Sequence, residues 1–170
     1  MTPPTRGYQL LRTAALSLAV HGETTRPLIN PRQSSPYSYL DSPLTTRTEH
    51  EFEAGPRAGA PLTNRRLGTD DFLLDRLGIG FSGIYFGDSD QIPAEVQKLF
   101  QDLDVGSETF EPIVISRRDN SVQAPADTFT AYGATDGTFY LVRPDRHVAA
   151  RWQRVVPREA RQAFLRALGN

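Results

Sequence analysis

The chain of 170 residues contains no cysteine. That absence excludes structural disulfides, thiolate nucleophiles, cysteine-ligated metals and dithiol redox chemistry together. Lysine is almost absent as well: Lys98 is the single lysine among 19 basic residues. An arginine bias of this kind reflects coding preference more simply than a dedicated phosphate-binding surface. Neither sign of charge dominates, and a formal net charge of -1 creates no bulk attraction to nucleic acid or an anionic membrane. Long apolar runs are missing too. Arg6 and Arg12 interrupt the first 20 residues, so neither a signal peptide nor a membrane span is expected. The expected setting is cytoplasmic.

What is present suffices for a globular core: 38% of residues are hydrophobic, and about 100 residues can fold independently. The chain divides near Gly68. Residues 1–68 carry 8 basic and 5 acidic side chains (+3), and the remainder carries 11 and 15 (-4). In the first part, Tyr8, Leu11, Ala15 and Leu18 recur at helical spacing, which predicts a helix over residues 6–21 ended by Gly22. Residues 24–43 hold Pro27, Pro31, Pro36 and Pro43 among serines and threonines and read as extended chain. Residues 54–61 (Ala-Gly-Pro-Arg-Ala-Gly-Ala-Pro) read as a linker.

Beyond the linker the pattern is that of a compact α/β domain. A helix is expected over 70–77 with Thr69 as N-cap, a strand over 79–86, and a helix over 93–103 opened by proline. A second strand follows over 110–116. After a polar loop come two short strands and a final helix over 157–168. That helix places Val156, Ala160, Phe164 and Ala167 or Leu168 on one face and Arg158, Arg161 and Arg166 outside. The order βαβ then ββα describes a thioredoxin-like mixed sheet between helices. There are no internal repeats.

Several short motifs resemble functional sites without their context. Gly78, Gly80 and Gly83 match G-x-G-x-x-G, with Asp102 and Asp104 about 20 residues on. A dinucleotide site needs strand, glycine turn, then helix, so that helix amides meet the pyrophosphate. Here the glycines open a strand, and a helix cap and close packing are the expected roles. Ser82 falls inside that strand, not at a nucleophile elbow. His21, His50 and His147 have no second ligand at i+3 or i+4 and are expected in solvent. Asp88-Ser89-Asp90 starts like a calcium loop but lacks its glycine and distal glutamate. The arginines of the last helix read as a solvated face.

The most specific stretch is residues 139–152, Phe-Tyr-Leu-Val-Arg-Pro-Asp-Arg-His-Val-Ala-Ala-Arg-Trp. Pro144 and Asp145 supply a turn between two strands. Phe139, Leu141 and Arg143 share one face of the first, Tyr140 and Val142 the other. Val148, Ala150 and Trp152 share a face of the second. This hairpin resembles the closing hairpin of the C-terminal, thioredoxin-like domain of FAD-dependent aromatic-ring hydroxylases, the phenol-hydroxylase-like flavoprotein monooxygenases. The run from Gly55 to Pro61 resembles the segment joining flavin-binding body to C-terminal domain in that family. The run from Leu74 to Phe81 is similar to the family's first thioredoxin-like strand. Ala131-Tyr132-Gly133-Ala134 and residues 140–152 resemble its last third, and Tyr39–Leu44 the segment after the last helices of the flavin body.

The resemblance implies residues 1–54 as a remnant of the end of a flavin-binding body, 55–68 as linker and 69–170 as thioredoxin-like C-terminal domain. It also implies FAD and NAD(P)H for the parent enzymes. The family's FAD motifs (an N-terminal strand–glycine turn–helix, an Asp-Gly and a Gly-Asp motif) are not found here; Gly87-Asp88 does not continue as the last would. No catalytic, cofactor-binding or metal-binding residue is therefore assigned. The expectation is an accessory domain, structural or subunit-contacting, that does not catalyse alone. Its expected partner is a flavin-binding domain or subunit in cis or trans, with a homodimer also open. The rival readings are a subunit of a split flavin monooxygenase and a free-standing small-molecule or protein binding module.

Overall fold

A computed structural model describes residues 5–21, 36–48, 50–89, 91–104, 110–117 and 126–169. The chain forms two compact units, residues 1–36 and 37–170. In the first, α1 (Arg6–His21) has the extent that its apolar spacing predicts. Tyr8, Leu10 and Leu11 are each at least 60% exposed, whereas Ala19 is buried. Gly22 and residues 24–35 of the proline-rich segment lie outside the described residues.

The second unit is built on a four-stranded mixed sheet in the order β4-β3-β5-β6. It consists of β3 (Phe81–Gly87), β4 (Phe110–Ser116), β5 (Thr138–Val142) and β6 (Val148–Trp152). β3 runs parallel to β4 and antiparallel to β5, which pairs antiparallel with β6. Helix α2 (Ala94–Leu103) crosses between β3 and β4, α3 (Ala126–Tyr132) between β4 and β5, and α4 (Pro157–Ala167) closes the chain. This is the expected thioredoxin-like arrangement, without cysteine.

Both faces of the sheet are covered, and alternation along each strand sorts the side chains. Phe81, Tyr85, Phe110, Phe139, Leu141 and Trp152 pack against α2 and α4. Ile84, Phe86, Ile113, Ile115, Tyr140 and Val142 pack on the other face, with Phe129 and Tyr132 of α3. Every residue of β3 and β5 is buried. Each large side chain so enclosed contributes roughly 1.5–3 kcal/mol.

Four expectations about the elements and their faces differ from the structure. The helix over 70–77 is instead a short hairpin, β1 (Arg66–Gly68) with β2 (Asp71–Phe72), followed by one 3₁₀ turn at Leu73–Arg76. Asp70 takes a φ of 56° in the tight turn. The Leu73 and Leu74 amides donate backwards, to the Arg65 carbonyl at 2.8 Å and the Asn64 side chain at 3.1 Å. The acidic Asp71 pairs with Arg76 at 2.7 and 3.0 Å and serves no helix terminus.

Second, α3 was not foreseen; its seven residues are too few for a periodic signal. Third, Val148 does not share a face with Ala150 and Trp152. Leu141 faces Ala150 but Val142 faces Val148, so Ala149 is a bulge residue that switches faces. Fourth, Val156 is 40% exposed and stands outside the buried face of α4, which holds Ala160, Ala163, Phe164 and Ala167.

Residues 55–68, expected as linker, are tied to the hairpin within the compact unit. The Gly59 amide donates to the Val148 carbonyl at 2.7 Å, the Val148 amide to Ala60 at 2.9 Å, and the Leu62 amide to Arg146 at 2.8 Å. Further back, the Thr46 amide donates to the Ala149 carbonyl at 2.8 Å and the Thr48 hydroxyl to that of Arg151. Residues 46–62 thus form a strap along the outer edge of β6, which would otherwise present unpaired amides and carbonyls.

Candidate functional site

The hairpin places its distinctive residues where the strap, β6 and α4 meet. Its turn is a proline-initiated reversal closed by the Arg146 amide on the Arg143 carbonyl at 2.8 Å. Arg146 follows at φ 64°, the left-handed position that a three-residue hairpin loop requires. Asp145 accepts from the His147 amide at 3.1 Å, as its turn chemistry predicts. At the far end, Trp152 is fully buried and stacks on Phe139 at 5.9 Å. Its indole Nε1–H donates to Glu159 Oε2 at 3.0 Å.

Arg151, on the neighbouring position, is the main fastener of the strap. Its Nη1 donates to the carbonyls of Ala54, Gly55 and Pro56 at 3.1–3.3 Å. Its guanidinium also lies 4.1 Å from the centre of the Phe52 ring. Beneath it, the Tyr140 hydroxyl donates to the Tyr132 carbonyl at 2.6 Å, and the Tyr132 hydroxyl donates to the Thr63 carbonyl. Burial raises the pKa of both phenols, that of Tyr140 to about 12 against some relief from Arg151. These tyrosines are therefore neutral, structural donors near neutral pH.

Between strap and α4 lies a cleft of about 500 Å³, whose walls include Arg47, His50, Trp152, Glu159 and Arg166. A second cleft of about 360 Å³ continues along the strap, shares Arg47, Thr48 and His50, and adds Arg57 and Arg151. Among the described residues Glu159 is the one carboxylate lining either. On the opposite side, a cleft of about 740 Å³ lies by Phe52, Phe129 and Gly133. Arg117 caps Phe129 there at 4.1 Å and pairs with Asp88 at 3.0 Å.

The sequence motifs fall outside these clefts or change meaning. Gly83 lies mid-strand, where a Cβ would meet the Phe110 ring at 2.5 Å and the Phe139 ring at 2.8 Å. Close packing is its role. Gly78 caps no helix; the 3₁₀ turn ends two residues before it. No helix N-terminus follows these glycines, so they do not fit a dinucleotide pyrophosphate. Ser82 is buried in β3.

His147 departs from expectation. It is half-buried, 5.0 Å from the Tyr39 ring, with Nε2 3.2 Å from the Tyr37 carbonyl and Nδ1 3.0 Å from that of Asp145. The strap's approach encloses it, which no local pattern announces. His50 is exposed as expected, as are Arg158, Arg161 and Arg166; the His21 side chain and Asp90 lie outside the described residues. Among the described residues no group of three or more His, Asp or Glu side chains could hold a metal ion. No helix among them is long and apolar enough to cross a membrane.

No protein-family model matches the chain, and no curated protein does. Solved structures do match. RebC-10x, in its native and K252c-bound form, superposes with a TM-score of 0.60 at 20% identity, over 99% of this chain and 31% of that one. Aklavinone-11 hydroxylase, solved with FAD and aklavinone, gives 0.59 at 18% identity over 79% of this chain and 26% of that one. The flavin-dependent monooxygenase PieE, solved with FAD and substrate, gives 0.56 at 18% over 78% and 24%. What is shared is a fold. The chain spans about a third or less of the length of these structures.

Proposed function

We propose that the chain is the accessory, thioredoxin-like portion of an FAD-dependent aromatic-ring hydroxylase, structural or subunit-contacting in role and without a flavin site of its own. The observation that carries this reading is the fold match over 99% of this chain to only 31% of a longer chain. Flavin-dependent hydroxylases among the matched structures, and the hairpin wording of residues 139–152, support the same reading. The accessory portion contributes a rigid surface, and ring hydroxylation with FAD and NAD(P)H belongs to the parent body. The test is to purify the chain, supply FAD and measure bound flavin after desalting. Colourless protein is expected, and stoichiometric retention of flavin would overturn the proposal.

One observation favours the version in which the flavin-binding body is a separate polypeptide. Tyr8, Leu10 and Leu11 of α1 are large apolar side chains each at least 60% exposed. A helix with such side chains gains stability mainly by burying them. Co-expression with a flavin-binding body should yield a complex that Leu10→Asp together with Leu11→Asp disrupts. Separate elution of the unaltered proteins would remove this version.

A further inference from the structure

The geometry points to the cleft between the strap and α4 as a binding site for the oxyanion group, phosphate or carboxylate, of a small molecule. Its volume of about 500 Å³ lies in the range of small-molecule sites. Among the described residues its basic side chains outnumber its one carboxylate. Arg47 and His50 come from the strap and Arg166 from α4, and the adjoining cleft adds Arg57. The carboxylate lining it, Glu159, is already engaged by the buried Trp152 indole at 3.0 Å. The side chains of Arg57, Arg166 and His50 have no hydrogen-bonding or ionic partner among the described residues. Arg47 does pair with Asp41, but those side chains are 70% and 92% exposed, and such a pair contributes little. Its guanidinium can exchange that partner for a ligand.

A second, independent observation concerns Thr46. Its hydroxyl oxygen is buried in the wall of this cleft and has no hydrogen-bond partner among the described residues. Buried hydroxyls are nearly always bonded, and a lone one marks a place where a further group fits. The mounting is also rigid: the Thr46 amide is fixed on the Ala149 carbonyl at 2.8 Å, and α4 is fixed through Trp152 and Glu159. Guanidinium groups supplied from two elements suit an oxyanion whose oxygens accept forked hydrogen bonds. This inference goes beyond the accessory role and does not depend on it.

Trp152 is the only tryptophan and borders this cleft, so its emission can be followed without interference from another indole. The full chain is titrated at low salt with inorganic pyrophosphate in one arm and benzoate in the other, followed by fluorescence and by calorimetry. Saturable binding in at least one arm is expected, and the responding arm identifies phosphate or carboxylate as the preferred group. Arg166→Gln should weaken it about tenfold or more, the loss of one charge-assisted fork. Arg158→Gln, on the same helix but outside the cleft, should leave it unchanged, with far-UV circular dichroism the same in both variants. Absence of binding by both methods overturns the inference. So does an equal loss in Arg158→Gln, which would reduce the effect to general surface charge.

Discussion

The indole N–H of Trp152 and the carboxylate of Glu159, 3.0 Å apart, join the last strand to the first turn of the last helix. The acceptor carries charge and sits near a helix N-terminus, where a carboxylate is favoured. Glu159→Ala strands a buried N–H and should cost about 1–3 kcal/mol, read as a lower urea midpoint with an unchanged slope. Glu159→Gln retains an oxygen acceptor and should lose less.

Gly83 admits no side chain. A Cβ at that position would lie within 3 Å of two phenyl rings that have the buried α2–α4 face around them. Gly83→Ala should destabilise by about 1–3 kcal/mol, the usual penalty of overpacking. A thermal melt unchanged from that of the parent protein would show that Phe110 and Phe139 can move aside.

Arg151 fastens three consecutive carbonyls and a ring. Arg151→Met should cost about 2–3 kcal/mol, since charge-assisted hydrogen bonds are among the stronger ones. It should also open the strap near residues 50–58 to limited proteolysis. Arg151→Lys should not restore protection, because a point charge cannot reproduce the planar fork over Phe52.

The buried phenols set an alkaline limit. Tyr140 has a folded-state pKa raised to about 12, and Tyr132 is raised as well, both chiefly by burial. An unfolded tyrosine ionises near pH 10. Stability from these groups is therefore complete below about pH 10 and is lost as pH rises through the folded-state values. Tyrosinate absorbance should show Tyr132 and Tyr140 ionising together with unfolding. In Tyr140→Phe the alkaline transition should begin at higher pH relative to that variant's own neutral stability.

Long, periodic or strongly β-branched elements were legible in the sequence. The α1 boundaries, the β4 strand and the Pro93-led helix all follow from apolar spacing and proline placement. The turn chemistry of Pro144 and Asp145 was legible for the same reason, since it acts over three residues. What escaped depends on distant partners. The 3₁₀ turn replaces a helix because Asn64 and Arg65 capture the Leu74 and Leu73 amides. The Ala149 bulge reverses Val148 because the strap bonds on both sides of that position, at Val148 and Ala149. The cleft beside Trp152 is not legible in the sequence, because its arginines come from the strap and from α4, separated by more than a hundred positions.

The strap also fixes when the molecule can fold. The Thr48 hydroxyl meets the Arg151 carbonyl across 103 positions of chain, so this sheet edge is closed by two segments far apart in sequence. Closing so long a loop must precede any reward from the contact. During synthesis residues 46–62 emerge with no strand to bind, and β6 has no cover until they return. Until strap and strand meet, β6 presents an open sheet edge, which makes this step the one most exposed to misassembly.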